Sequence, residues 1–272
     1  MNTLPAAHCT DVLSQIQQEW LARRLPEPQA ITGRPAYSNQ VLLPGILKVL
    51  RSGCRWRDLD IPGVPSGVTH WRRFRFRQER SKLLQLWRFT LSQLVQADAI
   101  QLSRAVIDGT LAASFAFTDT TGYSGKHHCI GTKLETVTGQ EGLPVAITFA
   151  SGNRHDLSLA VPTLKRVKVG NRRRPTMLLA DKGFDSQTFR RHIRTRGIKA
   201  NIPERTYRKR RKRGRPPLYD TELGKQRYVV ERTNAWLKSF RRVHFRYDRT
   251  LASFRAFVLL ACIVVCLRRL IL

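Results

Sequence analysis

Two short apolar runs constrain this chain more than anything else in it. Arg104-Ala105-Val106-Ile107 closes on Asp108-Gly109-Thr110, and Thr176-Met177-Leu178-Leu179-Ala180 closes on Asp181-Lys182-Gly183. A wholly apolar segment of strand length, bounded by a turn signal, reads as a buried strand of a parallel sheet. In open α/β sheets, ligands gather at the carboxyl ends of such strands. Each run therefore places an acid where a functional carboxylate is expected. If the two strands are parallel neighbours, the two carboxylates meet.

The periodicity around them is consistent with such a sheet. Residues 1–100 read as helical: 10–25 with Thr10 as a candidate N-cap, Gln40–Arg51 after Ser38, and a third helix over 68–77. From 104 the period changes. Strands are expected at 104–110, Cys129–Val137, Leu143–Ala150, 176–181 and Ile198–Ile202, with a loop over 111–126. Helices are expected at Leu157–Val167, capped by Asp156, at Ser186–Arg196, at 226–242 and at 253–269. A meander followed by a βαβαβ run predicts an α/β fold: a mixed, ribonuclease H-like sheet with flanking helices. It would follow an all-α, helix-turn-helix-like N-terminal domain. The expected division is 1–100 and 101–272, with a basic loop over 205–217.

Charge narrows the class of partner. Lys and Arg number 49 against 19 acids, a formal net charge of +30, which points to a polyanion, nucleic acid above all. Helix 68–77 interleaves Arg72, Arg73, Arg75 and Arg77 with Trp71, Phe74 and Phe76, and suits a DNA-reading helix. Residues 205–215 carry eight Lys/Arg and no acid. Arg210, Arg211, Arg213 and Arg215 there are candidate DNA contacts, and Arg213-Gly214-Arg215-Pro216 resembles an AT-hook. A non-specific basic loop over DNA is the simpler reading. The five cysteines are odd in number and show no Cys-x-x-Cys, as in a reduced, cytoplasmic and nucleoid-associated protein. The apolar tail Ala256–Leu267 is shorter than the ~20 residues a bilayer requires, so no membrane is expected. His127-His128-Cys129 lacks a fourth ligand at zinc-finger spacing. Cys262 and Cys266 read as one face of a core helix.

A third acid lies on the helix over 226–242. At 100° per residue, Val229, Thr233, Trp236, Leu237 and Phe240 share one side, and Glu231, Asn234, Lys238 and Arg242 share another. Together, Val-Ile-Asp108-Gly-Thr, Leu-Ala-Asp181-Lys-Gly-Phe-Asp and Tyr-Val-Val-Glu231-Arg-Thr-Asn-Ala-Trp-Leu-Lys resemble the triad segments of DDE transposases of bacterial insertion sequences. The similarity is greatest to the insertion-sequence 5 family. Asn153-Arg154-His155-Asp156, the segment Phe240 through Asp248, and Gly53-Cys54-Arg55-Trp56-Arg57-Asp58-Leu59 extend it over most of 30–270. That superfamily's signature is Tyr, two residues, Arg, three residues, Glu, six residues, Lys. Arg227, Glu231 and Lys238 match it; Gly224 stands at the tyrosine position.

The resemblance implies a metal-dependent enzyme. Asp108, Asp181 and Glu231 would hold two Mg²⁺ ions, with Mn²⁺ able to substitute, and would cleave and join DNA strands. Arg227 and Lys238 would hold phosphates. The partners would be double-stranded DNA, at the terminal inverted repeats and the target, and a second copy of the chain in a synaptic homodimer. Two other readings are a metal-dependent nuclease on the same fold and a domesticated, non-catalytic DNA-binding protein.

Overall fold

The structure is a computed structural model that describes residues 12–28, 35–79, 81–205 and 217–270. Arg210, Arg211, Arg213 and Arg215, the AT-hook-like segment 213–216 and the candidate cap Thr10 lie outside the described residues. The chain divides into two compact units, residues 1–93 with 237–272, and residues 94–236. The division expected from the sequence is 1–100 and 101–272; the first unit here also takes in residues 237–272.

In the first unit, α1 (Gln15–Arg24) opens on a capping box. Ser14 accepts from the Gln17 amide, and the Gln17 side chain accepts from the Ser14 amide. The cap is therefore Ser14 and the helix starts later than expected. α2 (Asn39–Ser52) follows Ser38 and tolerates Pro44 inside it. A 3-10 turn, Trp56–Leu59, precedes α3 (Gly67–Glu79) and α4 (Lys82–Gln96). After the second unit the chain returns as α9 (Arg241–His244) and α10 (Leu251–Leu267). α10 is apolar all round and buried from Ala256 to Leu267, including Cys262 and Cys266, so it is a core helix. Phe257 stacks on both Trp56 and Phe74, the latter at 4.3 Å between ring centroids, and Trp56 lies tilted against Phe74. This joins the 3-10 turn, α3 and α10 in one core. No helix among the described residues is long and apolar enough to cross a membrane.

The second unit is built on a mixed sheet. β1 (Arg104–Ser114) is its centre. β1 pairs antiparallel with β3 (Cys129–Gly139) and parallel with β5 (Met177–Leu179), which pairs parallel with β6 (Lys199–Asn201). The other edge of β3 takes β2 (Gly122–Ser124) and then β4 (Pro144–Ser151). The segment expected as a loop over 111–126 therefore holds the end of β1 and all of β2; Leu111 and Ala112 are buried and continue the ladder. α5 (Asp156–Lys165) and α6 (Gln187–Thr195) supply the crossovers. The helix expected over 226–242 is broken into α7 (Thr221–Lys225), α8 (Tyr228–Lys238) and α9. Asn201 exchanges hydrogen bonds with the backbone of Asp220, which fixes where the chain resumes beside β6.

Candidate active site

The parallel register pairs Ala105 with Leu178 and Val106 with Leu179. Continued by two residues, it sets Asp108 level with Asp181. Alternation along each strand puts Val106, Asp108, Leu179 and Asp181 on one face of the sheet. α8 covers that face, with Val230 packed on Val106 and Leu179. Thr233 Oγ1 donates to the Gly142 carbonyl at 2.6 Å, tying α8 to the β3–β4 turn, and Arg104 donates to Gln226 at 2.9 Å just before the helix begins. The helix that carries Glu231 is thus fixed at both the turn and the strand.

The buried stripe of α8 differs from the expected one at three positions. Val229, Thr233 and Leu237 are buried as expected, and Val230, outside the expected stripe, is buried too. Trp236 is only partly buried, beneath the Arg232 guanidinium at 4.9 Å. Asn234, expected beside Glu231 on the polar side, is 6% exposed, and among the described residues its side-chain atoms have no hydrogen-bond partner. Val230, Thr233, Asn234 and Leu237, at i, i+3, i+4 and i+7, make the buried stripe of α8.

Burial lifts the Asp108 carboxyl to about 6, and the negative charges of Asp181 and Asp156 add to the rise. The Gly109 backbone and the Arg227 guanidinium oppose it. Asp181 caps the 3-10 turn Lys182–Phe184, where its Oδ1 accepts from the Gly183 amide at 2.8 Å. Asp185, the second acid of the same segment, is committed elsewhere: it accepts from Arg190 Nε and from the Arg205 amide, each at 2.8 Å. Glu231 is exposed and lies 3.5 Å from Arg227 Nη2, one turn earlier. Arg227 therefore acts on both Asp108 and Glu231.

Asp108 and Asp181 are brought level, and Glu231 is on the helix over them. Yet among the described residues no three His, Cys, Asp or Glu side chains converge tightly enough to hold an ion as they stand. The donor set still fits a hard divalent cation. It is all carboxylate oxygen, and Asp108 is held up in pKa chiefly by burial and further by the negative charges of Asp181 and Asp156, which such a cation would offset.

Two of the expected DNA-contacting arginines have another role. Arg73 donates to Asn39 Oδ1 and to the Tyr37 carbonyl, and Arg77 donates to Asn39 Oδ1, each at 2.6 Å. Both are at most 5% exposed, and burial pushes Arg77 down to about 9. Asn39 itself donates to the Ala22 and Leu25 carbonyls at the end of α1. Alternation of Arg with aromatic residues reads as one solvated face, but helical spacing sends 73 and 77 inward with Phe74 between them. Arg72 and Arg75 remain exposed.

Other features were invisible in the sequence. Asp156 is not the cap of α5: His155 is, its Nδ1 accepting from the Leu157 amide at 3.2 Å. Asp156 pairs instead with Lys133 at 2.6 Å. At Gly224, where the signature has tyrosine, a Cβ would fall 1.9 Å from the Tyr219 hydroxyl. The phenol of Tyr219 occupies the space that a side chain at 224 would need. Glu135, wholly buried on β3, had no motif to mark it.

Comparison with known proteins bears on this geometry. Residues 101–267 match the family described as the transposase DDE domain. The chain is 35% identical over 142 residues to a Burkholderia cepacia protein named as a transposase for insertion sequence element IS402, covering 50% of this chain and 63% of that one. It is 32% identical over 143 residues to a Brucella ovis protein named as a transposase for element IS6501, covering 50% of this chain and 98% of that one. A Neisseria meningitidis transposase for element IS1106 is 29% identical over 122 residues, covering 44% of this chain and 38% of its own. The chain thus spans about two thirds or less of the IS402 and IS1106 proteins. With two aspartates level on adjacent parallel strands, a glutamate on the covering helix, and a family match that includes all three, the chain belongs to the DDE transposases of insertion sequences.

Proposed function

We propose that the protein binds the ends of its insertion sequence and catalyses metal-dependent strand cleavage and strand transfer on a ribonuclease H-like scaffold. The observation that carries this reading is the register that sets Asp108 beside Asp181 beneath the helix of Glu231. Divalent ions bound there would activate the attacking oxygen and stabilise the leaving one. Asp108, at the centre of the sheet, together with Asp181 and Glu231, would hold these ions. Glu231 has to turn from Arg227 to do so, and its exposure leaves it free to turn. Arg227, released, would face a substrate phosphate, and Lys238 lies in the last turn of the same helix.

The helical unit would recognise the element's ends. Within α3, Arg72 and Arg75 are the arginines available for phosphate, with Trp71 beside Arg75 at 5.1 Å. The insertion-sequence 5 subgroup, a synaptic homodimer and work at the nucleoid belong to the same reading.

The test is cleavage of a DNA duplex carrying the element's terminal repeat. With Mg²⁺ or Mn²⁺ the wild-type chain cleaves; Asp108→Asn and Asp181→Asn abolish cleavage and leave DNA binding in a gel-shift assay nearly intact. Robust cleavage in excess chelator, or by either variant, would overturn the assignment. Cleavage without any joining to target DNA would make the protein a nuclease.

A further inference from the structure

The face of β1 opposite Asp108 carries a second group of charges. Gly109 is directly across from Glu135 in the β1–β3 ladder, so the two share a face, and Asp108 points to the other. A Cβ placed on Gly109 would lie 2.6 Å from Asp156 Oδ1 and 2.9 Å from Glu135 Oε2. Two carboxylate oxygens therefore face one small space that only glycine leaves open. Glu135 is 0% exposed, and among the described residues neither of its oxygens has a hydrogen-bond partner. Burying a carboxyl without partners is costly, and native structures seldom leave one so unless something else binds there.

The charges nearby are out of balance. Lys133, two residues before Glu135 on the same strand face, places its ammonium 2.6 Å from Asp156 Oδ1 and 2.6 Å from the Arg154 carbonyl. The ammonium thus contacts only one of the two carboxylates, Asp156, and acts on Glu135 through its charge alone. Burial pushes the Glu135 carboxyl up to about 9, and the charges of Asp156 and Asp108 add to it. Protonation removes the charge but gives neither oxygen a partner.

We propose that Glu135 and Asp156 form a second divalent-cation site, on the side of β1 away from Asp108, in the space that Gly109 leaves. Mg²⁺ and Mn²⁺ are bound through one or two carboxylates, with water in the remaining positions. Asp156 is partly exposed and supplies the water-facing side; Glu135 supplies the buried one. The Lys133 ammonium already holds a positive charge on Asp156, and the incoming ion displaces it. A cation bound here would brace β1 from behind and reduce the repulsion that Asp108 meets from Asp156.

The site does not rest on the triad assignment and is tested with the triad removed. The probe is Mn²⁺, counted by electron paramagnetic resonance on the full chain carrying Asp108→Asn, Asp181→Asn and Glu231→Gln. That chain should retain a single bound Mn²⁺. Adding Glu135→Gln or Asp156→Asn should eliminate it, and adding Lys133→Met should tighten it by removing the competing ammonium. Asp156 is exposed enough to be replaced without disturbing the core, so the test survives if Glu135→Gln does not fold; circular dichroism melting checks each variant. The proposal fails if the triad-free chain binds no Mn²⁺, or if folded Glu135→Gln and Asp156→Asn chains bind it unchanged.

Discussion

At Asp108 the sheet imposes a measurable cost. Its carboxyl is raised from 3.8 to about 6, so the folded chain holds a proton that the unfolded chain has lost between those values. The stability this proton brings is present below the unfolded pKa and is lost as pH rises through about 6. At ~1.4 kcal/mol per pKa unit, the loss is on the order of 2–3 kcal/mol in the metal-free protein. Urea unfolding in chelator should therefore show Asp108→Asn gaining on wild type from pH 4 to pH 7; parallel pH curves would refute it. The third carboxylate is separable in the same way. Glu231→Gln should destroy cleavage, whereas Glu222→Gln, which breaks only an exposed pair with Lys225, should keep most of it. Asp248 is not a neutral control. Its side chain is 8% exposed, burial raises its carboxyl, and it pairs with buried Arg242 at 3.3 Å, so Asp248→Asn should cost about 3 kcal/mol in unfolding free energy.

Among the elements, α3 shows how one helix divides its arginines. Arg73 and Arg77 converge on a single amide oxygen of Asn39, whose NH₂ group satisfies the last carbonyls of α1. Asn39→Ala removes the acceptor for both guanidinium groups and both donors to α1. It should destabilise the protein by about 2–4 kcal/mol, read by chemical denaturation. Arg72→Ala and Arg75→Ala, on the exposed side, should change stability by no more than about 0.5 kcal/mol. If α3 meets DNA, the same two substitutions weaken binding to end DNA and lower its salt slope by ~0.9 for each phosphate no longer neutralised. Unchanged binding would move the reader elsewhere in the unit.

On the scale of the whole molecule, the helical unit is discontinuous in sequence. α10 enters it from the far end of the chain, and Phe257 stacks on both Trp56 and Phe74. A fragment ending at residue 100 exposes that cluster and loses the apolar helix that fills the core. Circular dichroism of the 1–100 fragment should show no cooperative melt, whereas the full chain should melt cooperatively. DNA-end binding is therefore to be measured on the full chain. If the chain binds end DNA, a net charge of +30 should make that binding fall steeply with salt whichever residues read sequence.

The sequence by itself determined where β1, β3, β4, β5 and β6 begin, that an Asp and a turn follow the apolar runs of β1 and β5, and that Glu231 lies on a helix; it did not mark β2. Local patterning fixes these: a wholly apolar run closed by Asp and Gly has few other uses, and Tyr-Val-Val-Glu-Arg-Thr-Asn on a helix needs an apolar side. Contacts between residues distant in sequence were another matter. That Arg73 and Arg77 turn inward depended on Asn39, more than thirty residues away, because a guanidinium is buried only where an acceptor awaits it. That Asp156 meets Lys133 depended on the β3–β4 pairing and on α5 packing against β3, which no local pattern encodes. Tyr219 fills the space at Gly224 because the chain folds back over five residues, so a departure from the signature is matched by a neighbour. Periodicity says which way a side chain points; only the tertiary structure decides what it meets there.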